Sequence, residues 1–372
     1  MGDALKTFFS PSLVRRLAGD IERVHASFPS RAFIRDATTG LDELELLDRG
    51  KHITRALERH LPPGYADAID VLLRSLGPEH ATDELLGVGM APFYYLPHTH
   101  FVATRGLEHF ELSMHAQYEL TKRFSAESSI RPFIAADPER TFATLRQWTR
   151  DPNAHVRRLV SEGTRLRLPW AMRVQWLDTN PDRVLELLEL LKDDPAPLVR
   201  RSVANNLNDL GKVHPALLAK TCGAWLDGAS EERRALVEHA LRSAVKRGDA
   251  SALRLLGYGK KAAFKIERVR MKPARVAIGG SVAISFVIAS TSRSKQELLI
   301  DLGVHFVKAA GKTARKVFKL KRVVLSPGEK VEFSKSISLA VHTTRKPRPG
   351  RHVVDVIVNG VATPAGHFTV TA

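Results

Sequence analysis

An ungapped internal repeat in the middle of the chain constrains its fold more than any other feature. Residues 136–163 align with residues 179–206 at a constant offset of 43 residues. Each copy contains Asp-Pro, at 151–152 and 194–195, followed by Val-Arg-Arg, at 156–158 and 199–201. This period is typical of HEAT-like repeats, in which pairs of helices stack and bury a shared core. We therefore expect each copy to be a helix, a turn capped by the aspartate, and a second helix beginning near Val-Arg-Arg.

Fainter copies flank this pair. Residues 121–123 align with the first Val-Arg-Arg at an offset of 35, and residues 232–234 align with the second at an offset of 33. Amphipathic helical spacing extends back to Ser10-Pro11, where a serine cap precedes a proline in the first turn. We therefore predict a curved helical solenoid over the first 262 residues.

The pattern changes to short β-type runs near Phe264. These runs are 276–290, 298–307, 317–325, 331–339 and 353–358, and turn signals such as Ser-Pro-Gly and Asn-Gly separate them. About seven strands in about 110 residues are typical of an immunoglobulin-like sandwich. The predicted fold is multidomain: an all-α HEAT-like solenoid over 1–262, followed by an all-β immunoglobulin-like sandwich over 263–372.

The positive charge is concentrated on the predicted β domain. Residues 264–372 hold 20 Lys and Arg but 6 Asp and Glu, whereas the rest of the chain holds 37 and 34. Such an imbalance indicates a polyanionic partner, with nucleic acid favoured over a mere solubility device. Two stretches, 308–322 and 345–351, are the predicted DNA-contacting loops, and we select as contacts Lys312, Arg315, Lys316, Arg345, Lys346 and Arg348.

Several other classes of protein are disfavoured. One cysteine, Cys222, allows no intrachain disulfide, and the closest histidine pair, His98 and His100, lacks the companions of a metal site. The sequence has no phosphate-binding loop, no dinucleotide-binding glycine motif and no Gly-X-Ser-X-Gly element. We expect no metal, no cofactor and no membrane association, and we expect a cytoplasmic protein because no signal-peptide pattern begins the chain.

The repeat alignment places candidate site residues in equivalent positions. One slot of three successive second helices holds Glu127, Glu162 and Asn205, and the residues four positions earlier are Arg123, Arg158 and Arg201. Because equivalent slots line up across stacked repeats, two carboxylates are expected to face one space, each beside an arginine. The alternative is a set of surface ion pairs. Trp170 and Asp209 lie nearby in the repeat, and an aromatic ring beside carboxylates can bind a cationic base.

These residues resemble the bacterial DNA alkylation repair glycosylases built from HEAT-like repeats, specifically the AlkC branch. The segments that carry the resemblance are LKTFFSPSLVRRLAGDIERV (5–24), SAESSIRPFI (125–134), DPNAHVRRLVSEGTRLRLPW (151–170) and DPAPLVRRSVANNLNDL (194–210). AlkC members can carry a C-terminal immunoglobulin-like domain, so the resemblance extends along nearly the whole chain. It places the family's acidic site residues at Glu127 and Glu162, and supporting positions at Arg158, Trp170 and Asp209.

The resemblance implies a monofunctional base-excision-repair glycosylase that acts on alkylation damage in duplex DNA. Its substrates would be cationic bases such as 3-methyladenine and 3-methylcytosine, removed without drawing the base into a deep pocket. A monomer is expected, associated with the nucleoid during repair. Carboxylates suit this chemistry because they stabilise an oxocarbenium-like sugar and orient water. The alternatives are a non-catalytic HEAT scaffold that binds nucleic acid, and an RNA-binding module.

Overall fold

The computed structural model describes residues 5–80, 91–259, 262–308, 311–342 and 346–372. The chain divides into two compact units, and the units contain 1–214 with 228–240 and 215–227 with 241–372, respectively. The predicted fold class, a helical repeat region followed by a β-sandwich, is confirmed.

Fifteen α-helices have their bounds within the described residues. They are α1 Pro11–Glu22, α2 Ser30–Thr38, α3 Leu46–His60, α4 Tyr65–Arg74, α5 Leu96–Arg105, α6 Phe110–Thr121, α7 Arg131–Ala136, α8 Pro138–Trp148, α9 Ala154–Gly163, α10 Gln175–Thr179, α11 Pro181–Leu191, α12 Pro197–Leu210, α13 Pro215–Leu226, α14 Glu231–Arg247 and α15 Ala250–Leu255. Short 3-10 helices occupy Leu41–Glu43 and Ala91–Tyr95.

The two copies of the repeat form equivalent helix pairs. Helices α8 and α11 begin and end at positions 43 residues apart, and α9 and α12 begin at positions with the same offset. Helix α9 packs on α12, so the second helices of the two copies are stacked neighbours, as the repeat predicts.

The aspartate of the Asp-Pro turn does not cap the helix, contrary to our prediction. In the first copy Asn153 is the cap, and its side chain accepts hydrogen bonds from the backbone of the first helical turn. Asp151 instead accepts a hydrogen bond from the Asn153 amide, 2.8 Å away, and Asp194 accepts one from Ala196 in the second copy. The aspartate lies two residues before the cap position, where it accepts a hydrogen bond within the turn and not from the first turn of the helix.

The β-sandwich of the second unit has two sheets. The strands are β1 Phe264–Lys272, β2 Arg275–Ala277, β3 Ser281–Ser290, β4 Gln296–Val307, β5 Thr313–Leu325, β6 Lys330–Ser338, β7 Gly350–Val358 and β8 Val361–Thr371. One sheet has the order β1-β3-β6 and the other β2-β8-β7-β4-β5, with all neighbours antiparallel except β2 and β8. Alternate residues of the strands, such as Phe286, Leu302 and Val356, fill the core.

Strand β8 was absent from the predicted runs for a physical reason. Pro364 and Gly366 interrupt its alternation, and both are features that disfavour a strand in sequence. The structure accommodates them at a register shift of β7 against β8, between Val354 and Asp355. A bulge of this kind tolerates a missing donor and an unusual backbone angle, which no local pattern predicts.

Candidate active site

The two predicted glutamates meet at one arginine of the helical unit. The Nη2 atom of Arg158, on α9, lies 3.1 Å from Glu127 Oε2 and 3.9 Å from Glu162 Oε2. Glu162 lies one helical turn after Arg158 on the same helix, as the repeat spacing predicts. The predicted pair of carboxylates is therefore brought together, with a single guanidinium between them.

Glu127 reaches this position from a turn and not from a second helix, so our placement of it in an equivalent helical slot was wrong. Helix α6 ends at Thr121, and Glu127 precedes α7 in a turn. The Ser125 hydroxyl donates to Glu127 Oε2 at 2.8 Å and also accepts from the Glu127 amide. Such local side-chain bonds compete with helical hydrogen bonds and favour a turn.

Glu162 is buried, with 5% of its surface exposed, and hydrogen bonds hold each carboxylate oxygen. Arg165 Nη1 donates to Oε1 at 2.5 Å, and the Ser202 hydroxyl donates to Oε2 at 2.5 Å. Burial alone raises the pKa of Glu162, but the charges of Arg158 and Arg165 and the Ser202 hydrogen bond outweigh it. The pKa of Glu162 therefore lies below its usual range, and the group is an ionised carboxylate in a poorly solvated site.

Asp209 joins the same network from α12. Arg165 Nε donates to Asp209 Oδ2 at 2.8 Å, and Lys212 Nζ donates to Oδ1 at 2.7 Å. Arg165 thus links Asp209 to Glu162, although neither Arg165 nor Ser202 was a predicted site residue. Arg165 lies three residues after Glu162, and this spacing could have predicted it as a partner.

Trp170 lies at the edge of the site with its ring in the open. Its side chain is 71% exposed, and its backbone has φ of 59°, in the left-handed region that disfavours a bulky residue. Trp170 and Pro169 line a cavity of about 280 Å³ together with Glu127 and Arg158. An exposed tryptophan in a strained backbone beside carboxylates is a feature of a binding site and not of a core.

A buried arginine holds the loop that carries Trp170. Arg131, 1% exposed, donates to the carbonyls of Gly163 and Arg165 at 2.8 Å and of Met172 at 2.7 Å. Burial, above all, lowers the pKa of this guanidinium to about 10, so it stays charged at neutral pH. Arg131 therefore fixes both ends of the segment that runs from Glu162 to the exposed ring.

Two predicted arginines lie elsewhere. Arg123 donates to the Gly77 carbonyl at 2.7 Å and pairs with Glu119, so it stabilises the packing of its own turn. Arg201 is exposed and lines a separate shallow cavity with Glu232. The third residue of the predicted slot, Asn205, bonds to His239, so the slot changes role along the repeats.

The predicted basic contacts of the second unit are exposed. Lys312 precedes β5, and Arg315 and Lys316 lie on β5 itself, an edge strand of the five-stranded sheet, and not in a loop as predicted. Lys346 and Arg348 are exposed before β7, whereas Arg345 lies outside the described residues. The exposed basic side chains of this edge strand lie in a row, which suits a linear anion.

The arrangement suits a cationic ligand. Glu162 supplies a fixed negative charge, whereas Glu127 is 27% exposed and its Oε1 accepts no hydrogen bond from the described residues. That free oxygen can accept a hydrogen bond from water or from a ligand. Among the described residues there is no cluster of three or more His, Cys, Asp or Glu side chains that could hold a metal ion. The described helices include none that is long and apolar enough to cross a membrane.

Comparison with known proteins gives the class. Residues 124–247 match the family described as DNA alkylation repair enzyme, and residues 265–372 match the C-terminal Ig-like domain of the uncharacterised protein YhaZ. The chain is 35% identical to the uncharacterized protein YhaZ of Bacillus subtilis (strain 168), over 96% of each chain.

A solved structure extends the likeness over the whole chain. Pseudomonas fluorescens alkylpurine DNA glycosylase AlkC, bound to DNA containing an abasic site analog, is 34% identical, with a TM-score of 0.91 and 99% of each chain covered. The chain therefore belongs to the DNA alkylation repair enzymes with a helical repeat region. Within that class it belongs to the AlkC branch, in which an Ig-like domain follows the helices.

Proposed function

We propose that this chain is a monofunctional DNA glycosylase that hydrolyses the N-glycosidic bond of cationic N3-alkylated bases in duplex DNA. The proposed substrates are 3-methyladenine and 3-methylcytosine. The observation that carries the proposal is the pair of carboxylates, Glu127 and Glu162, that shares Arg158 beside the exposed ring of Trp170. The likeness to an alkylpurine DNA glycosylase over the whole chain supports it.

The chemistry needs little more than negative charge and water. An N3-alkylated base carries a positive charge, so the bond from the sugar C1′ to the base nitrogen breaks with its electron pair going to the base. The base leaves as a neutral molecule, and the sugar becomes an oxocarbenium-like cation. Water then adds to C1′ and gives up one proton. An ionised carboxylate near C1′ stabilises the cation, and a second carboxylate orients the water and accepts its proton.

We assign these two roles to different glutamates. Glu162 is buried, ionised and bonded at both oxygens, so it suits the electrostatic role. Glu127 is partly exposed and has a free oxygen, so it suits the binding of water. Arg158 holds the two side chains in place and is not required as an acid, because a cationic base leaves without further protonation.

The basic strand of the second unit is the proposed contact with the DNA backbone. Lys312, Arg315 and Lys316, with Lys346, Arg348 and Arg345, would neutralise phosphates and supply affinity without reading sequence. We further propose that the helical region to residue 262 is catalytic and that the β domain assists binding. We also propose that the protein acts as a monomer in the cytoplasm.

The decisive test is the release of free base from methylated duplex DNA, detected by chromatography. We expect Glu162→Gln to lower single-turnover release by at least about 100-fold, since the neutral amide no longer stabilises the sugar cation. Duplex binding by the same variant should remain within about twofold of the wild type. Glu119→Gln, which changes a glutamate that pairs with Arg123 and Lys122, is the matched control.

The outcomes separate the proposal from its alternative. Full release by Glu162→Gln would remove Glu162 from catalysis. Tight, salt-sensitive DNA binding by the wild type without any release of 3-methyladenine or 3-methylcytosine would instead identify a non-catalytic scaffold.

A further inference from the structure

The cavity beside Glu127 has walls that the proposed hydrolysis does not use. Leu47 and Lys51 come from α3, Phe93 from the 3-10 helix Ala91–Tyr95, Leu96 and His100 from α5, and Phe124 from the turn before Glu127. The cavity measures about 280 Å³. Sites for drug-sized ligands measure about 300–1,000 Å³, so this one fits a smaller ligand of one or two rings.

The shape and chemistry of these walls favour a planar ring. The rings of Phe93 and Phe124 meet edge to face, with centroids 5.3 Å apart and planes at 62°. Leu47 and Leu96 complete an apolar lining at the same cavity. Aromatic edges and faces of this kind hold a flat heteroaromatic ligand by stacking and dispersion.

His100 supplies a polar ring to the wall of the cavity. Its Nδ1 atom is buried and makes no hydrogen bond to any described residue. Burial first, and the charge of Lys51 second, lower the pKa of His100 to about 4, so the ring is neutral at physiological pH. A neutral imidazole has one donor nitrogen and one acceptor nitrogen, so the second ring nitrogen, Nε2, can pair with a ligand in the cavity.

The walls of the cavity other than Glu127 carry no negative charge, so they do not attract a cation. Lys51 and Arg158 bring two positive charges to its walls, and Glu127 brings one negative charge. A cationic lesion is attracted to the buried carboxylate of Glu162, which is not among the lining residues. Once the glycosidic bond breaks, the base is neutral and loses that attraction.

We propose that this cavity binds the excised base, a neutral methylated purine or pyrimidine, through the phenylalanine walls and His100. The inference rests on the proposed glycosylase function and adds a product site to it. The base would leave the sugar at Glu127 and enter the cavity, which separates it from the new hydroxyl at C1′. Free base should therefore inhibit turnover.

The direct test is calorimetric titration of the full-length protein with free 3-methyladenine, without DNA. We expect saturable binding by the wild type. His100→Ala should weaken it by about three- to tenfold, the effect of one hydrogen bond. Leu47→Trp should abolish measurable binding, because the larger ring fills the cavity. His115→Ala, which removes an exposed histidine of α6, is the matched control and should bind like the wild type.

Thermal unfolding of each variant establishes that it is folded, so a loss of binding reports on the cavity. If the folded wild type takes up no free base, or if Leu47→Trp binds it as tightly as the wild type, the product site does not exist. Binding of free base by a protein that releases none from methylated DNA would refute the glycosylase function and leave the cavity as a base-binding site.

Kinetics distinguish a product site from a substrate pocket. We expect His100→Ala to lose more affinity for free base than it loses in single-turnover release, since the site acts after bond cleavage. An equal or larger loss in the single-turnover rate would show that the cavity takes the base before cleavage, and would overturn the proposal.

Discussion

At the scale of single residues, the two glutamates of the site share Arg158 but differ in burial and in hydrogen bonding. Glu162 is buried and receives hydrogen bonds from Arg165 and Ser202, whereas Glu127 is partly exposed and bonded at one oxygen. A buried carboxylate is stable as an anion only with such partners. The sequence predicted both glutamates, but it did not distinguish them, because Ser202 reaches Glu162 and Arg158 reaches Glu127 from distant segments.

Removal of the Ser202 hydroxyl tests the importance of the hydrogen bonds that hold Glu162. We expect Ser202→Ala to lower single-turnover base release by about tenfold, because the lost hydrogen bond to a charged group leaves Glu162 less well positioned. Ser161→Ala is the control, since the Ser161 hydroxyl is also buried but makes no hydrogen bond to a described residue. Equal activity of the two variants would show that the Ser202 contact is dispensable.

Asp301, on β4, is a buried carboxyl group for which, unlike Glu162, burial outweighs the charges and hydrogen bonds that favour ionisation. It is 3% exposed, and its Oδ1 has no hydrogen-bond partner among the described residues. Burial raises its pKa above the usual 3.8, against the opposing effects of Lys319, the Leu320 amide and Lys246. The charged form is therefore disfavoured in the folded protein, which loses stability as the pH rises from the unfolded to the folded pKa.

We expect Asp301→Asn to raise the unfolding temperature at pH 7, and the gain to shrink as the pH falls and the wild-type carboxyl takes up its proton. Differential scanning calorimetry at several pH values measures this. Glu332→Gln, an exposed change on β6, should leave the unfolding temperature nearly unchanged at every pH. A lower unfolding temperature for Asp301→Asn at pH 7 would mean that its charge is well compensated.

At the scale of helices, the repeated Arg-Arg pair divides into a structural and a functional position. The first arginine, Arg157 or Arg200, donates to the two carbonyls of the preceding Asp-Pro turn in each copy. Arg157 also forms two hydrogen bonds to the buried Asp194, at 2.6 and 2.9 Å, and so joins one copy to the next. The second arginine of the first copy, Arg158, faces the glutamates.

We expect Arg157→Ala to destabilise the protein by about 3 kcal/mol, because it leaves the Asp194 carboxylate buried without its ion pair. Urea unfolding followed by circular dichroism measures the change. Arg150→Ala, which removes an exposed arginine of the same copy, is the control and should cost much less. A small effect of Arg157→Ala would indicate that the turn carbonyls and Asp194 find other donors.

The helices were predictable because their signals are local. Periodic apolar residues and prolines in the first turn set the starts of α8, α11 and α12. The turn at Glu127 was not predictable from the sequence, because the upstream copy contains the arginine of the repeat, Arg123, but lacks its second helix. Hydrogen bonds of Ser125 decide that segment, and the sequence alignment does not register them.

At the scale of the whole molecule, the β region is strongly basic, whereas the helical region is nearly neutral. Strand β5 carries exposed basic side chains, among them Lys316, Lys319 and Lys321, and the described part of that strand contains no acidic residue. Contacts with phosphates release bound counterions, so affinity that depends on this strand must fall with salt.

We expect the triple change Lys316→Gln, Lys319→Gln and Lys321→Gln to reduce the slope of log affinity against log salt concentration by about 2 to 3 for duplex DNA. Fluorescence anisotropy between low and moderate salt measures it in the full-length protein. The matched control alters three exposed bases of β1, Lys265, Arg268 and Arg270, with the same change in net charge. Equal slopes for the two triple variants would mean that net charge acts and not the strand.

The sequence by itself determined the repeat, the class of each region and the basic β domain, and it predicted the two glutamates. These features depend on periodicity, composition and motifs, which are properties of neighbouring residues. Only the tertiary structure decided that Arg158 joins Glu127 to Glu162, that Ser202 and Arg165 hold Glu162, and that a cavity lies beside Trp170. The contacts of Arg158 with Glu127, of Ser202 with Glu162 and of Arg165 with Asp209 join residues 31, 40 and 44 positions apart, and their distances depend on how the helices pack.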